Sequence, residues 1–221
     1  MSQPPILFSF RRCPYAMRAR MALWTAAITV ELREVKLANK PPELFESSPK
    51  ATVPIMDFRN GSVIDESMSI MRWALKQNDP NNWLFGDDKA LIELNDGPFK
   101  YHLDRYKYPS RYRDENRGDE RTFCVDHRNA GYEILCDIDE RLGNQGQLCR
   151  DTPTMVDIAL FPFVRQFANT DLQWFGAQPI PRLQQWLKGH LESELFKLIM
   201  PKFAPWKAGD KPITFGPLNS G

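Results

Sequence analysis

Cys13 begins the run Cys13-Pro14-Tyr15-Ala16, directly after the short apolar stretch Ile6-Leu7-Phe8-Ser9-Phe10. Pro14 suits the first turn of a helix, where its missing N–H costs nothing, so Cys13 falls at or beside the N-cap. A helix start carries free N–H groups and a partial positive charge, and both favour the thiolate, the nucleophilic form, over the thiol. Arg11, Arg12 and Arg18 add positive potential nearby. The motif alone fits two outcomes, a reactive thiol or a structural cysteine that happens to precede a proline. Position 16 holds Ala where a dithiol oxidoreductase would carry its second cysteine. An oxidised Cys13 then has no resolving partner three residues on and needs an outside thiol to release it.

Two further pairs have chemistry to offer. Val53-Pro54 lies between a loop and an expected strand, and a proline is hard to place inside a strand ladder because it donates no hydrogen bond. A cis bond there would leave the Val53 N–H and C=O facing outward, ready to pair with an extended ligand backbone; a trans proline at a strand start is the commoner arrangement. Glu66-Ser67 opens a helix-period stretch. The Ser67 hydroxyl and the first free N–H groups suit a ligand carboxylate, and Glu66 suits a ligand ammonium. Ser67 acting only as a helix cap accounts for the same residues. Cys124, Cys136 and Cys149 lie far apart with no Cys-x-x-Cys pair, and His102, His127 and His190 are scattered. Neither a metal centre nor a disulfide framework is expected, and these three cysteines are expected to behave as small buried hydrophobes.

The elements that must position these residues follow from periodicity. Met17, Met21, Trp24 and Ile28 recur at helical spacing after the first strand, and Val30 to Val35 alternates as a second, half-exposed strand. Lys36 to Ser48 is polar, contains Pro41-Pro42 and reads as a loop with a turn of helix near Glu43 to Phe45. Val53 to Met56 and Ser62 to Asp65 flank Asn60-Gly61, a strong hairpin signal. Ile70, Met71, Ala74 and Leu75 then form one side of a helix. Residues 1–78 thus read β-α-β, loop, β-β-α, and Asn78-Asp79-Pro80-Asn81-Asn82 is a breaker cluster of the kind that separates domains. Beyond it the patterns are helical: Lys89 to about Tyr106, Glu120 to Leu142, Thr154 to Phe167, Pro181 to about Leu191 and a short piece near Leu195 to Met200. Residues 87–221 therefore read as an all-helical domain with no strand, its Pro- and Gly-rich tail after Pro201 lying on the surface or across the domain junction.

The 221 residues are enough for two cores. With 29 Lys and Arg against 28 Asp and Glu, the balance does not advertise a nucleic-acid partner. Phe99, Tyr101, Leu103, Tyr106, Tyr108 and Tyr112 interleave with basic residues, but Asp104, Asp114, Glu115, Asp119 and Glu120 neutralise them locally. No apolar run approaches the roughly 18 residues of a membrane span, and Arg11 and Arg12 stand where a secretory signal needs its apolar centre. A soluble cytoplasmic protein with no membrane partner is expected.

Taken together, Cys-Pro-Tyr-Ala after strand one, Val-Pro before strand three and Glu-Ser at the last helix of a β-α-β-loop-β-β-α domain, joined to a helical domain, resemble the glutathione transferase superfamily. The likeness is greatest to its omega-like, cysteine-type branch, which is related to glutaredoxins. It extends to Thr154-Met155-Val156-Asp157-Ile158-Ala159, similar to the capping-box helix at the centre of that family's helical domain. Thr154 and Asp157 also read directly as a reciprocal cap on a helix that is apolar nearly all round, hence buried. The resemblance implies a thioredoxin-like fold in the first domain and a glutathione site there. Cys13 would face the glutathione sulfur, Val53 beside a cis Pro54 would pair with the tripeptide backbone, Glu66 and Ser67 would hold the γ-glutamyl end, and Lys40 the glycyl end. It further implies a homodimer, a small hydrophobic or disulfide second substrate near the aromatic helix, and thiol transfer through Cys13 with glutathione as cosubstrate and no metal. Conjugation of glutathione to electrophiles is the alternative within the enzymes, and a non-catalytic scaffold or regulatory protein is the alternative outside them.

Overall fold

The computed structural model describes residues 3–116, 118–143 and 145–217. Contacts divide the chain into two compact units, one running to Leu84 and resuming at Ser193, the other spanning Phe85–Glu192.

In the first unit, β1 (Ile6–Ser9) pairs in parallel with β2 (Val30–Glu34) and antiparallel with β3 (Ile55–Asp57), and β4 (Val63–Ile64) continues antiparallel on β3. Helix α1 (Pro14–Thr25) joins β1 to β2, α2 (Pro42–Ser47) lies in the connection to β3, and α3 (Ser67–Gln77) follows β4. Alternation along β1 splits the core: Ile6 and Phe8 pack with Leu44 of α2, Val35, Ala51 and Ile55. Ser9, one position out of phase, is met instead by Arg20 of α1. Helices α1 and α3 pack against each other. This is the expected thioredoxin-like order.

Two expectations are corrected here. A fifth strand, β5 (Ile213–Phe215), pairs antiparallel with β2, giving the order β4-β3-β1-β2-β5, where no strand was expected after residue 82. The segment from Ser193, read from the sequence as part of the 87–221 helical domain, therefore belongs with the sheet unit. Strand β2 is consequently buried almost throughout rather than half-exposed. Short helix α11 (Glu194–Ile199) packs on α1, and the following chain binds β2 through Trp206 N–H to the Glu34 carbonyl at 2.8 Å.

The second unit is helical. Helix α4 (Lys89–Leu94) runs through a π-helical turn at Asn95–Phe99 into α5 (Lys100–Lys107). The wider turn accommodates Pro98, which offers no N–H. A short α6 (Arg113–Asn116) leads to the long α7 (Glu120–Leu142). At the centre lies α8 (Met155–Ala168), whose first ten residues are all buried, flanked by α9 (Leu172–Gly176) and α10 (Pro181–Glu192). Gly131 of α7 is required by this packing, since a Cβ there would sit 2.8 Å from the Phe167 ring of α8. No helix among the described residues is long and apolar enough to cross a membrane.

Candidate functional site

Cys13 is the N-cap of α1, with extended backbone (φ −73°, ψ 122°) and Pro14 as the first helical residue. The Cys13 side chain makes no capping hydrogen bond to this helix start. The thiol is half-buried, and its Sγ lies 3.6 Å from the Val53 carbonyl oxygen. The Val53–Pro54 bond is cis, so the rarer of the two arrangements considered for this pair is the one present. Strand β1 and the loop before β3 thus bring Cys13 and Val53 together, although 40 residues separate them in sequence.

The loop that ends in Cys13 is held from beneath. Cys13 N–H donates to the Phe10 carbonyl (3.0 Å) and Arg11 N–H to the Glu34 carboxylate (2.8 Å). Arg20, only 2 % exposed, extends from α1 under the same loop and donates to Ser9 Oγ (2.5 Å), Phe10 O (3.3 Å) and Arg11 O (2.8 Å). Burial pushes the Arg20 guanidinium down to about 10, against the pull of Glu34 and Cys13, which favour its charge. Burial pushes the Glu34 carboxyl up, while the Arg11 N–H and the Arg20 and Arg11 charges pull it down. Sequence reasoning picked Arg11, Arg12 and Arg18 and missed Arg20, Glu34 and Lys50. A signal for Arg20 existed: it lies three residues after Met17 and four before Trp24, on the apolar stripe of α1.

At the second expected contact, Glu66 rather than Ser67 is the N-cap of α3, in extended conformation, and its side chain makes no capping bond. Ser67 is the first helical residue, 4 % exposed. Glu66 is exposed and already paired with Lys50 Nζ at 2.9 Å, and Lys50 also approaches Asp65 at 3.6 Å. The hydrogen bond and charge of Glu66, then the charge of Asp65, raise the Lys50 ammonium above its usual range. A ligand ammonium at Glu66 would share the carboxylate with Lys50. Lys40 is half-buried in the loop before α2, following a bridge between Lys36 and Asn39.

In the helical unit the expected reciprocal cap is present at Thr154 and Asp157. Asp157 accepts from Thr154 N–H and Thr154 Oγ1–H (2.8 Å each), Leu148 N–H (2.8 Å) and Trp186 Nε1–H (3.0 Å). One expectation fails: Cys124, Cys136 and Cys149 are half-buried rather than buried. His102 and His127, scattered in sequence, meet with their Nδ1 atoms 2.8 Å apart across α5 and α7. Arg105 explains why the basic and aromatic interleaving is not an open cationic face: it stacks on Tyr101 and Tyr112 and bonds Glu115 through two nitrogens (2.7 and 2.8 Å). Among the described residues, no group of three or more His, Cys, Asp or Glu is arranged to hold a metal ion.

Known proteins are similar to this chain in sequence and in fold. The family model for the N-terminal domain of glutathione S-transferases matches residues 12–77, and that for the C-terminal domain matches residues 126–189. A glutathione S-transferase omega-1 of Mus musculus is 27% identical over 185 residues, covering 82% of this chain and 74% of the mouse protein. A probable glutathione transferase of Aplysia californica is 33% identical over 92 residues, covering 42% of this chain and 97% of its own. Among solved structures, a glutathione transferase from Pseudomonas putida, crystallised with one glutathione disulfide per subunit, superposes with a TM-score of 0.73 at 17% identity, over 90% of this chain and 91% of that one. The chain belongs to the glutathione S-transferase superfamily, with omega-class proteins among its relatives.

Proposed function

We propose that this transferase exchanges thiols through Cys13, with glutathione as cosubstrate. The Cys13 thiolate attacks the glutathione-side sulfur of a mixed disulfide; that S–S bond breaks, the acceptor leaves as a thiolate that takes up a proton, and Cys13 carries glutathione. A second glutathione thiolate then attacks the glutathione sulfur held on Cys13, giving glutathione disulfide and returning the Cys13 thiolate. The observation that carries the reading is a half-buried cysteine at an uncapped helix start, with Ala16 in place of a resolving cysteine. A thiolate there gains from the helix end, and the outside thiol is needed because no second cysteine stands three residues on. Val53 with cis Pro54, Ser67, Glu66 and Lys40 are assigned to the tripeptide. Ser67 and the free N–H groups of α3 suit the γ-glutamyl carboxylate and Glu66 its ammonium. The reading includes a homodimer acting in the reducing cytoplasm on small hydrophobic or disulfide acceptors.

Treatment with oxidised glutathione followed by peptide mass spectrometry is expected to locate one glutathione adduct on Cys13, and Cys13→Ser is expected to lose disulfide exchange. Conjugation to a model electrophile that survives in Cys13→Ser, with no exchange detectable in the wild type, would replace this mechanism by conjugation. Failure to be retained on immobilised glutathione would remove the enzyme reading altogether.

A further inference from the structure

Arg20 is a long cationic side chain almost wholly enclosed, and nothing in the mechanism above uses it. Enclosing a guanidinium costs several kcal/mol unless its donors are all met. Here each of its nitrogens has an acceptor, and those of the two terminal nitrogens lie in residues 9–11, the stretch that delivers Cys13. Nη1 reaches Ser9 Oγ and the Phe10 carbonyl, Nη2 the Arg11 carbonyl, and Nε the Ile199 carbonyl at 3.1 Å, beyond the end of α11. The Phe10 carbonyl is the same atom that accepts the Cys13 N–H. One acceptor is therefore shared between the buried cation and the backbone of the candidate nucleophile.

We infer that Arg20 is a positioning residue for Cys13: its fork fixes the loop at residues 9–11, and its charge, lying beneath that loop, stabilises the thiolate in addition to the α1 helix end. The inference rests on the proposed use of Cys13 as a nucleophile. The charged groups acting on the guanidinium are Glu34 on β2, Cys13 itself and Arg11 in the loop. Electrostatic coupling is reciprocal, so a cation favoured by negative charge at Cys13 favours that charge in return. Glu34 opposes it: its carboxylate neutralises part of the Arg20 field while bonding the Arg11 N–H. On this inference the two residues act on the sulfur with opposite sign, an outcome that loop support alone would not produce. Through Ile199, and through Trp206 N–H on the Glu34 carbonyl, the segment after residue 193 meets both members of the pair.

The test is the pH dependence of Cys13 alkylation by iodoacetamide in the full chain, followed on the Cys13 peptide by mass spectrometry so that the other three cysteines do not interfere. Arg20→Met keeps the volume and removes the charge; its alkylation rate on the acid side of the profile is expected to fall about tenfold, a shift of about one pH unit, with the alkaline plateau unchanged. Arg20→Lys keeps the charge and loses the fork, and its midpoint is expected to lie between those of the wild type and Arg20→Met. Glu34→Gln still accepts the Arg11 N–H and is expected to move the midpoint the other way, towards acid. Midpoints that stay at the wild-type value, or that move in the same direction in Arg20→Met and Glu34→Gln, overturn the inference. If Arg20→Met does not fold, the direction of the Glu34→Gln shift decides alone. Alkylation needs no glutathione, so a poised thiol that never accepts glutathione would end the proposed function and leave this inference standing.

Discussion

The N–H groups at the start of α8 and those at the start of α1 are treated in opposite ways. At α8, Thr154 and Asp157 close a capping box in a fully enclosed setting, and Asp157 also collects donors from the 148 backbone and the Trp186 ring. At α1 the N-cap is a cysteine, and its side chain makes no capping bond to the helix. The contrast extends further. Helices α4, α7, α9 and α11 are capped by Asp88, Asp119, Asp171 and Ser193, whereas α1, α2 and α3 make no side-chain cap bond. A capped helix end has spent its donors on the chain itself. An open one keeps them for a thiolate or a ligand carboxylate at the cost of local stability, the usual exchange between function and stability.

The strongest way to break this comparison is at the capped end. Asp157→Ala leaves four donors around an enclosed site without an acceptor, and a loss of about 3 kcal/mol or more is expected, read as a fall in melting temperature. A near-unchanged melting temperature would mean that the box is decoration. Next in size is the pH response of the same region. His190 is enclosed, its Nε2 3.0 Å from Gln147 Oε1 and its ring stacked on Phe161. Burial pushes its pKa from 6.5 down to about 4, against the opposing charge of Asp157. The unfolded chain therefore binds a proton that the folded one refuses. Its contribution is whole above about 6.5 and is lost as pH falls towards about 4, a few kcal/mol in all. Denaturant titrations across that range should show the slope, and His190→Phe should flatten it. The smallest effects are expected at the open ends and carry the opposite sign. Cys13→Ser and Glu66→Ser each place a good cap on extended backbone, so stability should rise by about 0.5–1 kcal/mol while thiol transfer, or glutathione KM, worsens. Paired melting and activity measurements on each variant check this; a destabilised Cys13→Ser would show that the α1 end is already satisfied.

Much of the sheet unit was legible because its signals are local. The apolar run before Cys13, the Met17-Met21-Trp24 stripe, Asn60-Gly61 and the alternation at Val30 to Val35 each declare one element. In the helical unit, Glu120 to Leu142 read with the bounds observed, since 23 residues of one periodicity leave little choice. Elements whose cause lies elsewhere in the chain were not legible. Ile213-Thr214-Phe215, between Pro212 and Gly216, is a strand only because β2 offers it an edge. The Lys50–Glu66 pair and the meeting of His102 with His127 arise from packing between elements, which no spacing encodes. Ser67 was read as the cap of α3 because serine is the better capping type; the structure puts Glu66 there and leaves Ser67 inside the first turn.

The pairing of β2 with β5 joins Leu32 to Ile213, 181 positions further along the chain. On the ribosome, β2 must wait with one margin of backbone unpaired until the whole helical unit has been synthesised. Such a margin invites contact with other nascent chains, and long-range pairing of this kind is slow to form. Once β5 docks, the sheet's two outermost strands are only two and three residues long, too short to template another chain.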